Sequence, residues 1–302
     1  MLPTADLPPA SALADELRVA LASVHVKARR LVLDTPGVMT TVPMLRGVWG
    51  AALHDHDPGC YAAVFEGRAE SGAEAHPRYL LRPAPPDAVD WPAVEWISMA
   101  EALHQDPALL EGWLLASARG LGPERRPFAV RAIRSLGPDG QVRAGTADPF
   151  GLDQVVWPLG TAGEATAGLP CRLVFDVPVR MLRRGRLIDQ PTLPDIVAVG
   201  LRRLSRLAGA TAGNGGAALS ALNGPALAWA RALPAGRWRG SPAHLHRYSA
   251  NQGELDLHGV TGSLDLPEGP GPLWPLLAAL GWVHLGKATV FGLGQVLIQP
   301  LE

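Results

Sequence analysis

Residues 280–298, LGWVHLGKATVFGLGQVLI, hold the densest pattern in the chain: an apolar run, a set of glycines around a single lysine, and a short strand-like end. Gly281, Gly286 and Lys287 nearly match a phosphate-binding P-loop. Two features exclude it. Ala288 stands where that motif needs a Ser or Thr hydroxyl for magnesium, and the residues before the loop have a helical pattern where a strand is required. What remains is a glycine loop between a helix and a terminal strand, which lets a polyphosphate chain approach the backbone closely. RNA is the natural candidate for such a chain, and a tight connection made by Gly292 and Gly294 is the plainer alternative.

Upstream, residues 273–283 read as a short helix, and His244–Ser249 with Leu255–Leu266 as a hairpin. A helix near 217–232, a Gly/Ala-rich break, a helix over Pro194–Leu207 and a strand over Arg172–Leu182 precede them. The first half repeats the order. Val24–Asp34 alternates as a strand, and Met44, Leu45, Val48, Trp49, Ala52 and Leu53 recur at helical spacing over 43–55. Residues 91–119 read as two helices meeting near Asp106-Pro107, with Trp91, Trp96 and Trp113 packing them. Gly120 and Gly122 then feed a strand from Phe128 to Ile133. Residues 135–169, rich in Gly, Pro, Ala and Asp, form the linker. The repeated order predicts an α+β fold of tandem ferredoxin-like domains of the RNA-recognition-motif type, residues 1–165 and 166–302. The helical segment 91–119 is then an RNA-contacting insertion or the second helix of the first domain with an added turn, and the glycine-rich loop lies at the C-terminus.

Composition sets bounds on this reading. With 302 residues, 47% hydrophobic and a net charge of -1, the chain can bury a core. Its 34 Gly and 29 Pro disfavour long bundles and coiled coils. Cys60 and Cys171 cannot make a disulfide framework or a thiolate metal cluster, and without a basic-then-apolar leader the cytoplasm is the expected compartment. The longest apolar stretch, Leu273–Leu285, is broken by Pro275 and Gly281 and is shorter than the roughly 18–20 residues a membrane span needs.

The small net charge hides an asymmetry: residues 1–165 carry 14 basic and 20 acidic side chains, residues 166–302 carry 13 and 8. The second half is therefore the place to look for an anionic partner. All but two of the 27 basic residues are arginine, whose planar fork suits phosphate, although a GC-rich genome also produces arginine-rich proteins. Arg183, Arg184 and Arg186, with Arg202, Arg203 and Arg206 on the polar face of one helix, make a basic region suited to an RNA hairpin's backbone. His54-Asp55-His56-Asp57, and His244 with His246, are metal-ligand residue types that lack a third well-spaced partner, so no metal is expected.

The 280–298 run resembles the C-terminal glycine-rich loop of the CRISPR-associated repeat-processing endoribonucleases of the RAMP superfamily. The segment HRYSANQGELDLHGVTG (246–262) resembles the stretch before that loop, with Arg247, Tyr248, Ser249, Gln252, Gly259 and Gly262 matching. Residues 44–65 resemble the family's first helix, 120–130 the end of its first domain, and VPVRML with LRRLSRLAG the start of its second. The matches span about residues 25–299. The resemblance implies cleavage of the repeat stem-loop of precursor CRISPR RNA without metal or other cofactor. In that chemistry the ribose 2′-hydroxyl attacks the adjacent phosphate, leaving 2′,3′-cyclic phosphate and 5′-hydroxyl ends. The partners implied are repeat RNA, mature crRNA and other effector-complex subunits, with no membrane. A non-catalytic subunit that only holds guide RNA is the alternative.

Such a reaction needs a base, an acid and cations on the phosphorane. Histidine titrates near neutral pH, and the resemblance makes His54, at the end of the first helix, the leading acid or base, with His25 second. Arg46 and Arg247 are the candidates for clamping phosphate oxygens. Alternation on a strand would send His246 and Tyr248 to the face opposite Arg247. His246, Gly286, Lys287, Gly292 and Gly294 join the arginines as RNA-binding candidates.

Overall fold

The computed structural model describes residues 7–35, 39–66, 78–85, 92–122, 124–160, 164–210, 213–249 and 253–301, with backbone alone at 164–165, 245–249 and 253–257. The chain divides into two compact units. The N-terminal unit is His25–Phe150 with Val290–Gly292, and the C-terminal unit is Met1–Val24, Gly151–Thr289 and Leu293–Glu302. The sequence reading put one boundary near 165, whereas these units change hands at 24/25, 150/151, 289/290 and 292/293. Helix α1 (Ala10–Leu21) accordingly packs in the C-terminal unit, burying Leu13, Leu17, Ala20 and Leu21 at the spacing of one helical stripe. The Trp229 indole donates to the Pro8 carbonyl at 3.0 Å just ahead of it.

The N-terminal unit runs β1 (His25–Asp34), α2 (Val42–His56), β2 (Tyr79–Pro83), β3 (Ala93–Met99), α3 (Asp106–Arg119) and β4 (Ala129–Leu136). Its antiparallel sheet is ordered β2-β3-β1-β4, the ferredoxin-like arrangement, and a two-residue strand, Val142–Arg143, extends the β4 edge. The first of the two helices expected in 91–119 is therefore a strand. β3 lies between β1 and β2 and is buried on both faces, so Val94, Glu95, Trp96 and Ile97 show no alternation for a sequence reading to detect. Segment 91–119 is the third strand and second helix of the domain itself, not an insertion. Trp91 lies outside the described residues.

Trp49 of α2 is fully buried at the centre of this unit's core. It stacks on Trp113 at 4.8 Å, meets the edges of Phe65, Tyr79 and Trp96 at 4.9, 5.1 and 5.4 Å, and donates its indole N–H to the Leu109 carbonyl at 3.0 Å. Aromatic contacts of this geometry add to the burial of a large side chain and leave the helix little freedom to slide.

Charges are built into the sheet as well. On one face Glu95 of β3 stands opposite Arg30 of β1 and Arg82 of β2, bonded to both at 2.7 and 2.6 Å. Glu95 and Arg30 are almost wholly buried, so removing either would leave the other as an uncompensated buried charge. On the other face Asp106, in the first turn of α3, takes Lys27 at 2.8 Å and a forked contact from Arg29. Burial alone would raise the Asp106 pKa, but bonds and charge from Arg29 and then Lys27 outweigh it and hold the carboxyl below its usual range.

The C-terminal unit repeats the plan with β5 (Cys171–Val179), α4 (Leu193–Gly209), α5 (Gly215–Ala221), α6 (Asn223–Ala232), β6 (Arg239–Ser249), β7 (Gly253–Leu266), α7 (Trp274–Val283) and β8 (Leu297–Pro300). Its sheet order, β6-β7-β5-β8, is that of the first unit. Helix α4 starts with a capping box between Thr192 and Asp195, and buries Ile196, Val197, Leu201, Leu204 and Leu207. Helix α7 is apolar all round, with Leu276, Leu277, Leu280 and Val283 at zero exposure. Among the described residues, no helix is long and apolar enough to cross a membrane.

The Asp106 cluster gives a test of the first unit. A carboxylate with a depressed folded-state pKa stabilises above its unfolded pKa and loses that contribution as pH falls through the folded value. Asp106→Asn should cost about 2 kcal/mol at neutral pH. In urea titrations the gap from wild type should close as the pH drops below the ordinary carboxylate range.

Candidate nucleic-acid interface

Helix α2 carries two of the expected site residues. Thr41 caps its N-terminus, accepting from the Met44 amide at 3.4 Å, and Pro43 sits in the first turn, where a missing N–H costs nothing. One turn before Trp49, Arg46 lays its guanidinium between two aromatic rings, 5.2 Å from Phe65 and 4.7 Å from Phe291. Its Nε is buried with no hydrogen-bond partner among the described residues. Phe291 comes from the glycine run, so the structure joins Arg46 to that run within the N-terminal unit. A stacked guanidinium keeps its N–H edges in one plane, set to meet phosphate oxygens or base edges.

His54 lies eight residues further along, about 12 Å up the helix axis at 1.5 Å per residue. Its side chain is 61% exposed, with the ring edge-on to Tyr61 at 5.0 Å and Nδ1 3.3 Å from an Asp55 carboxylate oxygen. Asp55 is itself bonded to Arg119 at 2.6 Å, and that bond, followed by the one to His54, keeps its carboxyl below the usual range. The imidazole is accessible, weakly oriented by a carboxylate, and does not converge with Arg46 on a single phosphate. His25 is exposed at the start of β1.

In the glycine run, His284, Gly286, Ala288, Gly292 and Gly294 all have left-handed backbones, with φ of 58, 79, 63, 83 and 75°. At Gly294 a Cβ would fall 1.9 Å from the Leu285 carbonyl oxygen, and at Gly286 2.3 Å from that of Arg180. These two glycines are required by the loop's own packing. The Lys287 amide donates to Arg180 at 2.9 Å and the Leu285 amide to Gly294 at 2.8 Å, while the Lys287 side chain is exposed. Buried His284 places Nδ1 3.0 Å from the Leu293 carbonyl across the loop. The element before the loop is helix α7, which agrees with rejecting a P-loop.

Of the arginines, Arg202 and Arg206 are exposed on α4, and Arg183, Arg184 and Arg186 are exposed at a tight turn between two short paired strands, Leu182–Arg183 and Arg186–Leu187. Arg183 reaches back to the α4 cap residue Asp195. Arg203 departs from the expected basic face. It is 8% exposed, donates Nε to the Val283 carbonyl at 2.6 Å, and has its pKa pushed down to about 10 by burial. It holds the C-terminal end of α7 where the glycine run begins and is not on an RNA-facing surface. Arg247 and His246 lie in β6, opposite Leu255 and Asp256, with side chains outside the description. Gln252 lies outside the described residues. Among the described side chains no group of three His, Cys, Asp or Glu lies close enough to hold a metal.

The sequence reading missed the aromatic pair around Arg46. Phe291 stands in plain sight inside VFGLG, but its partner across the unit is visible only once the chain folds.

Both units have the ferredoxin-like strand order, and the second bears a glycine-rich loop before its last strand. Residues 173–296 match the family model described as the CRISPR-associated endoribonuclease Cas6, so the C-terminal unit carries that family's sequence pattern. Thermus thermophilus Cas6 (TTHB231) has the same fold, with a TM-score of 0.57 at 15% identity over 91% of this chain and 98% of that one. The Cas6 (TTHA0078) product complex gives 0.51 at 19% identity, covering 92% and 100%. A chain of a partial Cas6-RT-Cas1–Cas2 complex gives 0.53 at 13%, covering 92% of this chain and 46% of that one. No curated protein matches the chain in sequence.

The loop geometry sets its own prediction. Gly294→Ala should destabilise the protein by about 3 kcal/mol, from an unfavourable left-handed backbone plus displacement of the Leu285 carbonyl. The fall in the thermal or urea midpoint measures it.

Proposed function

We propose that this protein is an endoribonuclease that cuts the repeat stem-loop of precursor CRISPR RNA without metal and keeps the mature crRNA bound. The observation that carries the proposal is the Cas6 family pattern over 173–296 on a chain with two ferredoxin-like units. In the proposed reaction a base takes the proton of the ribose 2′-hydroxyl. The O2′–P bond forms as the P–O5′ bond breaks, and an acid protonates the departing O5′, giving a 2′,3′-cyclic phosphate and a 5′-hydroxyl. His54, accessible and beside a carboxylate, is the candidate for proton transfer, with His25, exposed at the start of β1, as second. Arg247 is assigned to the charge developing on the phosphorane. Arg46, some 12 Å from His54 along the helix, is assigned to the RNA backbone next to the cut.

Arg183, Arg184, Arg186, Arg202, Arg206 and Lys287 supply exposed positive charge for the stem's phosphates, and the glycine run presents its backbone to the same strand. The domain division proposed for RNA work follows the two ferredoxin-like units. Further CRISPR subunits are proposed as partners, by analogy with the Cas6-RT-Cas1–Cas2 assembly. The separation of His54 from Arg46 favours the second reading, a subunit that grips guide RNA without cutting it.

The deciding assay incubates purified protein with repeat RNA from its own locus in EDTA. Cleavage that disappears when the nucleotide before the cut is 2′-deoxy supports the enzyme, and tight binding without cleavage establishes the guide-holding subunit. In the active enzyme, His54→Ala should slow cleavage at least about a hundredfold, the scale of lost acid–base help. Arg247→Ala should reduce cleavage more than binding. Arg46→Ala should weaken binding and reduce the slope of log K against log salt by about 0.7–0.9, the share of one phosphate contact.

A further inference from the structure

Arginines withdrawn from water are matched with partners in both units. Arg29, Arg30, Arg78, Arg82 and Arg172 bond carboxylates. Arg203 bonds the Val283 carbonyl, and Arg46 is stacked between Phe65 and Phe291. Arg180 departs from this pattern. It is half-buried, and among the described residues its side chain has no carboxylate, carbonyl or ring partner. A guanidinium partly removed from water with no counter-charge is unfavourable, and an anionic ligand supplies what the fold leaves out.

The position of Arg180 indicates which ligand. It directly follows β5, between Val179 and Met181, which are 0 and 1% exposed. Strand alternation therefore turns the Arg180 side chain to the face away from those two. Its backbone carries the glycine run: Arg180 forms a parallel bridge with Gly286, and its carbonyl accepts from the Lys287 amide at 2.9 Å. Two residues earlier the Pro178 carbonyl accepts from the Gly294 amide at 3.0 Å. The contact at Gly286 is close enough that a Cβ there would lie 2.3 Å from the Arg180 carbonyl oxygen. Bridged backbones lie about 4.7–4.9 Å apart, so Arg180 stands beside the run, next to exposed Lys287. Three residues further along the chain begins the exposed Arg183–Arg186 turn.

We propose that the Arg180 side chain binds a backbone phosphate of RNA lying on the glycine run, linking Lys287 to the Arg183–Arg186 turn in one track of positive charge. This rests on the RNA reading above and adds to it a residue that it does not include. Every bond from Arg180 to the run comes from its backbone, so replacing the side chain probes the ligand without dismantling the loop.

The test uses repeat RNA from the protein's own locus, made 2′-deoxy before the cut so that it stays intact. Arg180→Gln should bind it about tenfold more weakly than wild type, with a slope of log K against log salt smaller by about 0.7–0.9. Arg180→Lys keeps the charge and should keep the slope. Both variants should melt at the wild-type temperature. RNAs carrying one neutral methylphosphonate at successive positions then identify the contact: one substitution should weaken wild-type binding and have no further effect on Arg180→Gln. Unchanged affinity and slope in Arg180→Gln overturn this proposal and leave the RNA reading standing. A lowered melting temperature in that variant, or methylphosphonate losses that add to its own at every position, overturns it likewise, since the side chain would then serve packing. Failure of wild type to bind the RNA overturns both together.

Discussion

The position of helix α2 rests on Trp49. A tryptophan closed in by Phe65, Tyr79, Trp96 and Trp113, with its N–H on the Leu109 carbonyl, can neither rotate nor slide without giving up several contacts at once. Everything placed on α2 inherits that fixity: Arg46 one turn earlier, and His54 just over a turn later. The same packing places Phe65, which forms one side of the Arg46 stack. An aromatic core thus fixes a half-buried, directed cation through a helix that cannot drift.

The glycine run works by the opposite means, close backbone approach in place of large side chains. Gly286 and Gly294 have no room for a Cβ because the carbonyls of Arg180 and Leu285 occupy that space. Arg203 supports the start of the run from beneath, donating to the last turn of α7 at Val283, and His284 faces the carbonyl of Leu293 across the loop. A buried arginine is expensive, and placing it at a helix C-terminus, where carbonyls lack intrahelical donors, recovers part of that cost. The order of βαββαβ elements, the glycine run and the amphipathic α4 were legible because each rests on local periodicity or on glycine. The both-face burial of β3 was not legible, since a central strand loses its alternation, and α1 was hidden behind prolines.

The site was less legible than the fold, for a physical reason. Arg46, His54 and the glycines were readable as residue types at known spacings, but their meeting points depend on contacts far apart in sequence: Arg46 with Phe291, Arg180 with Gly286, Arg203 with Val283. Helical periodicity places Arg202, Arg203 and Arg206 on neighbouring faces, and only packing shows that the middle one turns inward.

That inward turn bears on how the charge asymmetry should be read. The excess of basic residues in the second half suggests an anionic partner, but not every arginine there contributes to it: Arg203 is spent on a helix end, and Arg172 and Arg239 both bind Asp265. In the first half Arg29 and Arg30 are likewise committed to Asp106 and Glu95 inside the unit. Exposed positive charge in the second half includes the Arg183–Arg186 turn, Arg202 and Arg206 on the outer side of α4, Arg231, Arg237 and Lys287. Arginines used for structure are fixed in rigid, desolvated pairs, whereas those that bind phosphate must remain accessible until the ligand desolvates them. An arginine-rich composition is therefore evidence of an RNA surface only after burial has separated the two groups.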